Sequence, residues 1–467
     1  MYRRERRGRV RTSLAALALL TVSGLIAACD SNGPSGATSP GASPASPTAP
    51  HTRLPRETLT FGVVGSVDEV DQYRQMASLF APLNRQVTVR IQSWPDDAAM
   101  LAAFRQGTRV PDVLLASRRD LTWLTDHRQV QPVDGLLDDR GFDFGDQYPR
   151  SSLTALSIDS RLQCLPYGLS PSVIFYNKAL VKFGQIRNNP PTPGQGWSLD
   201  QFDAAASWSV RHHPGIAGAY VDANLTGVAP FIYSGGGDLF DNDTQPTSLA
   251  FSADQNRTTL ARTVRVLGRP GMSLTPDQLA QQSALDWFRQ GKVAMIEGSN
   301  EMVPGLRSQL GLDFDVMPMP SLGTPATVGN LTGLCVSQHA HDVGTAADFL
   351  VYASSADALD MVASGGYLQP ANQTVALSNA YQQPGRLPNH QEVFTFAVKS
   401  MVYPPLIGQW DQLDQAVDPL IDQLLRGRPR DVPRMTRRID RASYRVLGPR
   451  FGPSLGPSPT GSGQAGG

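Results

Sequence analysis

Two segments decide the fold: residues 59–66, Leu-Thr-Phe-Gly-Val-Val-Gly-Ser, and residues 112–116, Asp-Val-Leu-Leu-Ala. Leu59, Phe61 and Val63 alternate as in a strand with one face buried, and Gly65-Ser66 breaks the run. Val67, Val70, Tyr73, Met76, Leu79 and Phe80 then recur at helical spacing. Val87, Val89 and Ile91 mark a second strand, and Met100, Leu101 and Phe104 a short helix ending near Gly107. The continuous run Asp112 to Ala116 suits a strand buried on both faces. The order β-α-β-α-β predicts a parallel sheet with helices on both faces. Ligands of such sheets sit beyond the carboxyl ends of the strands, here Gly65-Ser66 and Ser117 to Asp120.

Outward from this core the chain changes character. Arg3, Arg4, Arg6, Arg7, Arg9 and Arg11 precede an apolar run from Leu14 to Ile26, too short for a spanning helix and suited to an export signal. The ending Leu25-Ile26-Ala27-Ala28-Cys29 resembles the lipobox of bacterial lipoproteins. That resemblance implies a signal peptide over 1–28, acylation (palmitate) of Cys29 as the mature N-terminus, and anchoring to the outer face of the cell membrane. The alternative is an ordinary signal cut at Ala-x-Ala-like residues, with Cys29 incidental. Residues 29–56 are rich in Ser, Pro and Ala and read as a disordered tether; residues 449–467 read as a disordered tail. The remaining four hundred or so residues exceed what one core usually serves, so two domains are expected. Formal charge is zero overall, but residues 1–28 carry +5, leaving about −5 on the mature chain and arguing against a nucleic-acid partner.

Ser198-Leu199-Asp200-Gln201 and Thr275-Pro276-Asp277-Gln278 both fit the capping box. Gly291 should stop the helix carrying Trp287 and Phe288, before a strand from Val293 to Ile296. Leu413, Val417, Leu420, Ile421, Leu424 and Leu425 form a helical stripe that Pro419 should kink or split.

Chemistry motifs are absent: no Gly-x-Ser-x-Gly, no His-Glu-x-x-His and no phosphate loop. Ser-x-x-Lys cannot occur, since no lysine (Lys178, Lys182, Lys292, Lys399) has Ser three residues before it. His339 and His341 are close in sequence but precede a helix that Thr345 would cap, so they read as a solvated loop rather than metal ligands. No catalytic residue, metal or cofactor is expected, although a pair of glycosidase carboxylates stays open among so many acids.

Five segments carry a family resemblance in order. They are Leu165-Pro166-Tyr167-Gly168 with Val173-Ile174-Phe175-Tyr176-Asn177-Lys178; Trp197-Ser198-Leu199-Asp200-Gln201-Phe202; Phe288-Arg289-Gln290-Gly291-Lys292-Val293-Ala294-Met295-Ile296-Glu297-Gly298; Asp315-Val316-Met317-Pro318-Met319-Pro320; and Gly366-Tyr367-Leu368-Gln369-Pro370. Together they resemble the family 1 extracellular solute-binding proteins, the group containing the maltose-binding protein, over about residues 57–447. The resemblance implies an α/β type II periplasmic-binding-protein-like fold. Its two lobes, each a mostly parallel sheet flanked by helices, are joined by crossing hinge strands. The first lobe would take 57–167 and 331–371, the second 168–330 and 372–448. It implies a monomeric receptor that captures a small polar solute, most readily a sugar or oligosaccharide, in an inter-lobe cleft and passes it to the permease of an ABC importer. A membrane-tethered sensor or scaffold for a partner protein, a receptor for a non-sugar solute and an extracellular glycoside-acting enzyme are the alternatives.

The same resemblance nominates ligand residues. Ser66, Ser117, Arg118, Arg119 and Asp120 come from strand ends of the first lobe, with Ser170 at the first crossing. Tyr220, Asp222, Tyr233, Asn300 and Trp410 come from the second lobe. Tyr233 and Asn300 stand where relatives often carry aromatic platforms, and Gly329-Asn330-Leu331-Thr332-Gly333 replaces a common Gly-Gly-containing turn. The family pattern also places Cys164 and Cys335 on neighbouring crossing strands. It implies a disulfide there, the alternative being two buried free thiols.

Overall fold

The computed structural model describes residues 57–80, 87–186 and 190–449; the export signal, Cys29, the tether and the 450–467 part of the tail lie outside the described residues. Among the described residues twelve strands form: β1 (Glu57–Val64), β2 (Val87–Trp94), β3 (Val113–Ser117), β4 (Val130–Gln131), β5 (Ser157–Ile158), β6 (Arg161–Leu162), β7 (Cys164–Pro171), β8 (Val173–Asn177), β9 (Met295–Gly298), β10 (Phe314–Pro318), β11 (Gly329–Ser337) and β12 (Gln369–Pro370).

The first sheet runs β12-β7-β11-β3-β1-β2, with β4 on β11. β1 pairs in parallel with β2 and β3, as the β-α-β-α-β reading requires. The helices Val67–Ser78 and Asp97–Arg105 make the crossovers, burying Val70, Tyr73 and Met76 from one and Met100, Leu101 and Phe104 from the other. The second sheet is β10-β8-β9, antiparallel, extended by parallel bridges from Ala217 to Val293 and Tyr220 to Ile296.

The two sheets share a chain crossing. β7 belongs to the first and β8 to the second, with only Ser172 between them. The return strand β11 runs antiparallel to β7 from Gly329 opposite Pro171 to Cys335 opposite Cys164. A third pass is marked by a bridge between Thr327 and Met401. Each lobe buries its own apolar core. Phe61, Tyr73, Phe349 and Tyr381 anchor the first, and Phe202, Phe231, Trp410 and Leu413 lie in the second, with a further cluster around Phe175 and Phe394. Val375 and Tyr381 pack in the first core, beyond the boundary drawn at residue 371. Cys164 and Cys335 are disulfide-bonded with Cα atoms 4.4 Å apart.

Three local readings are corrected. Pro419 does not split its helix, which runs unbroken from Trp410 to Leu425. Pro419 and Gln415 are exposed, so the carbonyl that loses its donor faces water instead of an apolar core. Residues 329–333 form no turn; they open β11, whose register shifts between Thr332 and Gly333. Asp342, not Thr345, caps the helix Val343–Ala353, accepting from the amides of Gly344 and Thr345. Among the described residues no helix is long and apolar enough to cross a membrane.

Candidate functional site

Cavities line the seam where the carboxyl ends of β1 and β3 meet the second lobe. One of about 300 Å³ is bordered by Ser66, Glu69, Asp97, Ser170, Glu301, Asn330 and Tyr367. A second, about 280 Å³, lies among Ser117, Arg118, Arg119, Asn330, Tyr403 and Trp410. A third, about 510 Å³, is walled by Trp123 and Trp410 with Asp97, Arg119 and Asp120. The last, about 490 Å³, lies beside Tyr233 and Tyr403. Shared lining residues set these cavities side by side along one cleft: Asp97 and Asn330 border both the first and the second, Ser117 and Trp410 the second and the third, and Tyr403 the second and the fourth.

Local sequence explains why these side chains face the cleft. β3 is buried along its whole length and ends at Ser117, so the chain must leave the sheet there in the short helical turn Arg118–Asp120. Ser117 Oγ donates to Asn330 Oδ1 at 2.7 Å, tying the end of β3 to β11. Arg118 is spent on backbone carbonyls, donating to Ala155 O at 2.7 Å and Pro404 O at 2.6 Å, and burial pulls its guanidinium down to about 10. Arg119 crosses to the second lobe, where it pairs with Asp414 and lies 4.5 Å from the centre of the Trp410 ring. Arg105 makes the parallel crossing to Asp411 at 2.9 Å. Asp120 occupies the N-cap position of the helix Leu121–Asp126 but makes no capping bond, so its carboxyl is left to the cavity. Burial, then the nearby Asp97 and Asp411, push that carboxyl up to about 8.

In the first cavity Ser170 Oγ donates to Glu301 Oε1 at 2.7 Å. Ser66 caps the helix Val67–Ser78 by accepting from the Glu69 amide. Burial, with Glu301 second, pushes Glu69 up to about 8. Asp97 is raised to about 6, by burial first and then by Glu301.

Of the nominated residues, Ser66, Ser117, Arg118, Arg119, Asp120, Ser170, Tyr233 and Trp410 border this cleft. Three do not. Tyr220 bridges to Ile296 at the edge of the second sheet and borders a separate cavity of only about 20 Å³. Asp222, two residues further along the same edge, donates its amide to Glu297 Oε2. Asn300 is fully buried, donating from Nδ2 to Tyr367 O at 2.7 Å, and it is Glu301 beside it that reaches the cavity. Glu69, Asp97, Trp123, Asn330, Tyr367 and Tyr403 also border the cleft and are not among the nominated residues. Tyr367 lies inside the Gly366–Pro370 motif, and Glu69 and Asp97 lie in the first turns of helices that follow strand ends, so position could have suggested these three. Asn330 stands in the segment that replaces the family's Gly-Gly-containing turn, but only the pairing of β11 with β7 brings it to the cavities.

His341 Nδ1 lies 2.9 Å from Asp112 Oδ1, within hydrogen-bond distance. Among the described residues no group of three or more His, Cys, Asp or Glu could hold a metal ion.

A sequence model for bacterial extracellular solute-binding proteins matches residues 75–389. Comparison with curated proteins gives no match. Among solved structures, the chain is similar to an ABC substrate-binding protein of Listeria monocytogenes in complex with cycloalternan, at 17% identity and TM-score 0.71 over 83% of this chain and 98% of that one. It is similar to the GacH receptor of Streptomyces glaucescens, solved unliganded and with acarbose, at 18% and 0.69 over 84% and 98%. The Thermus thermophilus maltotriose-binding protein with maltotriose gives 15% and 0.65 over 84% and 100%. At such identities these likenesses show the fold, that of type II periplasmic-binding proteins.

Proposed function

The chain belongs to the bacterial extracellular solute-binding protein family, and from that premise we propose that it is a monomeric receptor which closes its two lobes on a sugar or oligosaccharide and delivers it to an ABC importer. The observation that carries this reading is the cleft itself: indole and phenol rings (Trp123, Trp410, Tyr233, Tyr403) alternate with hydroxyl, amide and carboxyl groups. Sugars need that combination, since their C–H faces stack on rings while their hydroxyls require directional partners. The similar proteins from Listeria, Streptomyces and Thermus were solved with cycloalternan, acarbose and maltotriose.

Delivery requires the receptor to find its permease. Acylation of Cys29, with a tether over 29–56, would hold the folded part near the membrane and raise its effective concentration there. The proposed lobes take residues 57–167 with 331–371 and 168–330 with 372–448, and the packing of Val375 and Tyr381 in the first core supports drawing the last boundary beyond Tyr381. The receptor reading needs no catalytic group; Arg118 and Arg119 hold the cleft and Ser117 fastens its floor.

Thermal-shift screening of the purified chain against sugars and polyols tests the proposal. At least one sugar should raise the melting temperature and be recovered unaltered. A panel without a single stabilising sugar, or turnover of one, would refute it.

A further inference from the structure

The charge lining the cleft is one-sided. Seven carboxyl side chains border its first three cavities against three guanidinium groups, a formal −4. Most of the cations are already committed. Arg105 pairs with Asp411, Arg119 with Asp414, and the Arg118 donors go to two carbonyl oxygens. Asp96 caps the helix Asp97–Arg105 through the amide of Ala99. Glu69, Asp97, Asp120 and Glu301 are left with no cationic partner among the ion pairs of the described residues.

Two further polar atoms are unsatisfied at the same place. Asp120 Oδ2 and Trp410 Nε1 are buried without a hydrogen-bond partner, each in a residue 9% exposed that borders the third cavity. An unpaired buried acceptor costs on the order of 1–3 kcal/mol, and a native protein retains one where something else supplies the donor. Neutral hydroxyls could satisfy the geometry, but they would leave the excess of acidic groups without a cation when the lobes close. An ammonium group would supply both the donor that Asp120 Oδ2 lacks and the positive charge, while a ring hydroxyl of the same solute would accept from the Trp410 Nε1–H.

Resting on the receptor reading above, we propose that the solute carries positive charge: an amine-bearing saccharide or aminocyclitol, its ring in the cavity that Trp123 and Trp410 border and its ammonium groups on Asp120 and on the Glu69–Asp97–Glu301 side. Burial already holds Glu69 and Asp120 near 8, so a cation would find them partly protonated and drive the protons off.

Isothermal titration calorimetry of the mature chain at pH 7.5 and 150 mM salt, with three trisaccharides of similar size, decides it. The probes are fully deacetylated chitotriose, its triacetylated form and maltotriose. The deacetylated probe should bind at least tenfold tighter than either neutral one. In Asp120→Asn and Glu69→Gln that preference should shrink several-fold, while any affinity for the neutral probes changes less. Should a neutral trisaccharide bind as tightly as the amine, or the preference survive both substitutions, the charge inference is overturned and the sugar-receptor reading stands. If no probe binds here and no sugar stabilises the chain in the thermal panel, both fall.

Discussion

Replacing Cys164 and Cys335 together with alanine removes a crosslink between residues 171 apart in sequence. The chain-entropy expression for a loop of that length gives about 5 kcal/mol at 25 °C, the upper end of what disulfides contribute. For about 390 folded residues the unfolding entropy near the midpoint is on the order of 0.8 kcal/mol/K, so the melting temperature should fall by about 6 °C if the lobes melt together. The folded state should change little. β7 and β11 are held by a ladder of seven paired positions, of which Cys164–Cys335 is only the last. Ligand affinity should therefore stay within about twofold, and the loss should arise almost entirely in the unfolded chain. Differential scanning calorimetry of both chains, with thiol titration of the denatured wild type, is the assay. A drop below 1 °C, or reactive thiols at 164 and 335 before reduction, would refute the reasoning.

Trp410→Ala removes a cleft wall and the ring beneath Arg119, and should weaken ligand binding by roughly 1–3 kcal/mol, read as a 5- to 150-fold rise in Kd. Tyr220→Phe and Asp222→Asn, outside the cleft, should leave Kd within twofold in the same titration. Glu69 and Asp120 bind protons more tightly folded (both near 8) than unfolded (near 4), so between about pH 4.5 and 8 the ligand-free chain should lose stability as pH rises. Glu69→Gln should flatten that fall in melting temperature; an unchanged slope would remove Glu69 as its source. Mass spectrometry of the mature N-terminus should find acylated Cys29, and Cys29→Ala should release protein into the medium.

Much of the scaffold was legible because its signals are local. The alternation at Leu59, Phe61 and Val63 and the apolar run at Val113 to Ala116 report burial directly, and both capping boxes form as read, at Ser198 and Thr275. Pro419 does not split its helix because the carbonyl it deprives of a donor meets water, and sequence does not show which face is wet. Site residues divided the same way. Ser66 and Ser117 follow from the rule that ligands gather at strand ends, whereas Glu301 was displaced by its neighbour Asn300. One residue decides which side chain of a short helical turn faces the cleft, and a motif's spacing cannot supply that. Asn330 is a cleft residue only because β11 returns beside β7, a pairing across 160 residues.

The most direct test of the account is a crystal structure of the mature chain grown with the best ligand from the calorimetric series. The account predicts a solute between the lobes, a ring against Trp410 and polar groups within hydrogen-bond distance of Asp120 and of the Ser117–Asn330 floor. A solute bound elsewhere on the surface, with this cleft empty, would contradict it.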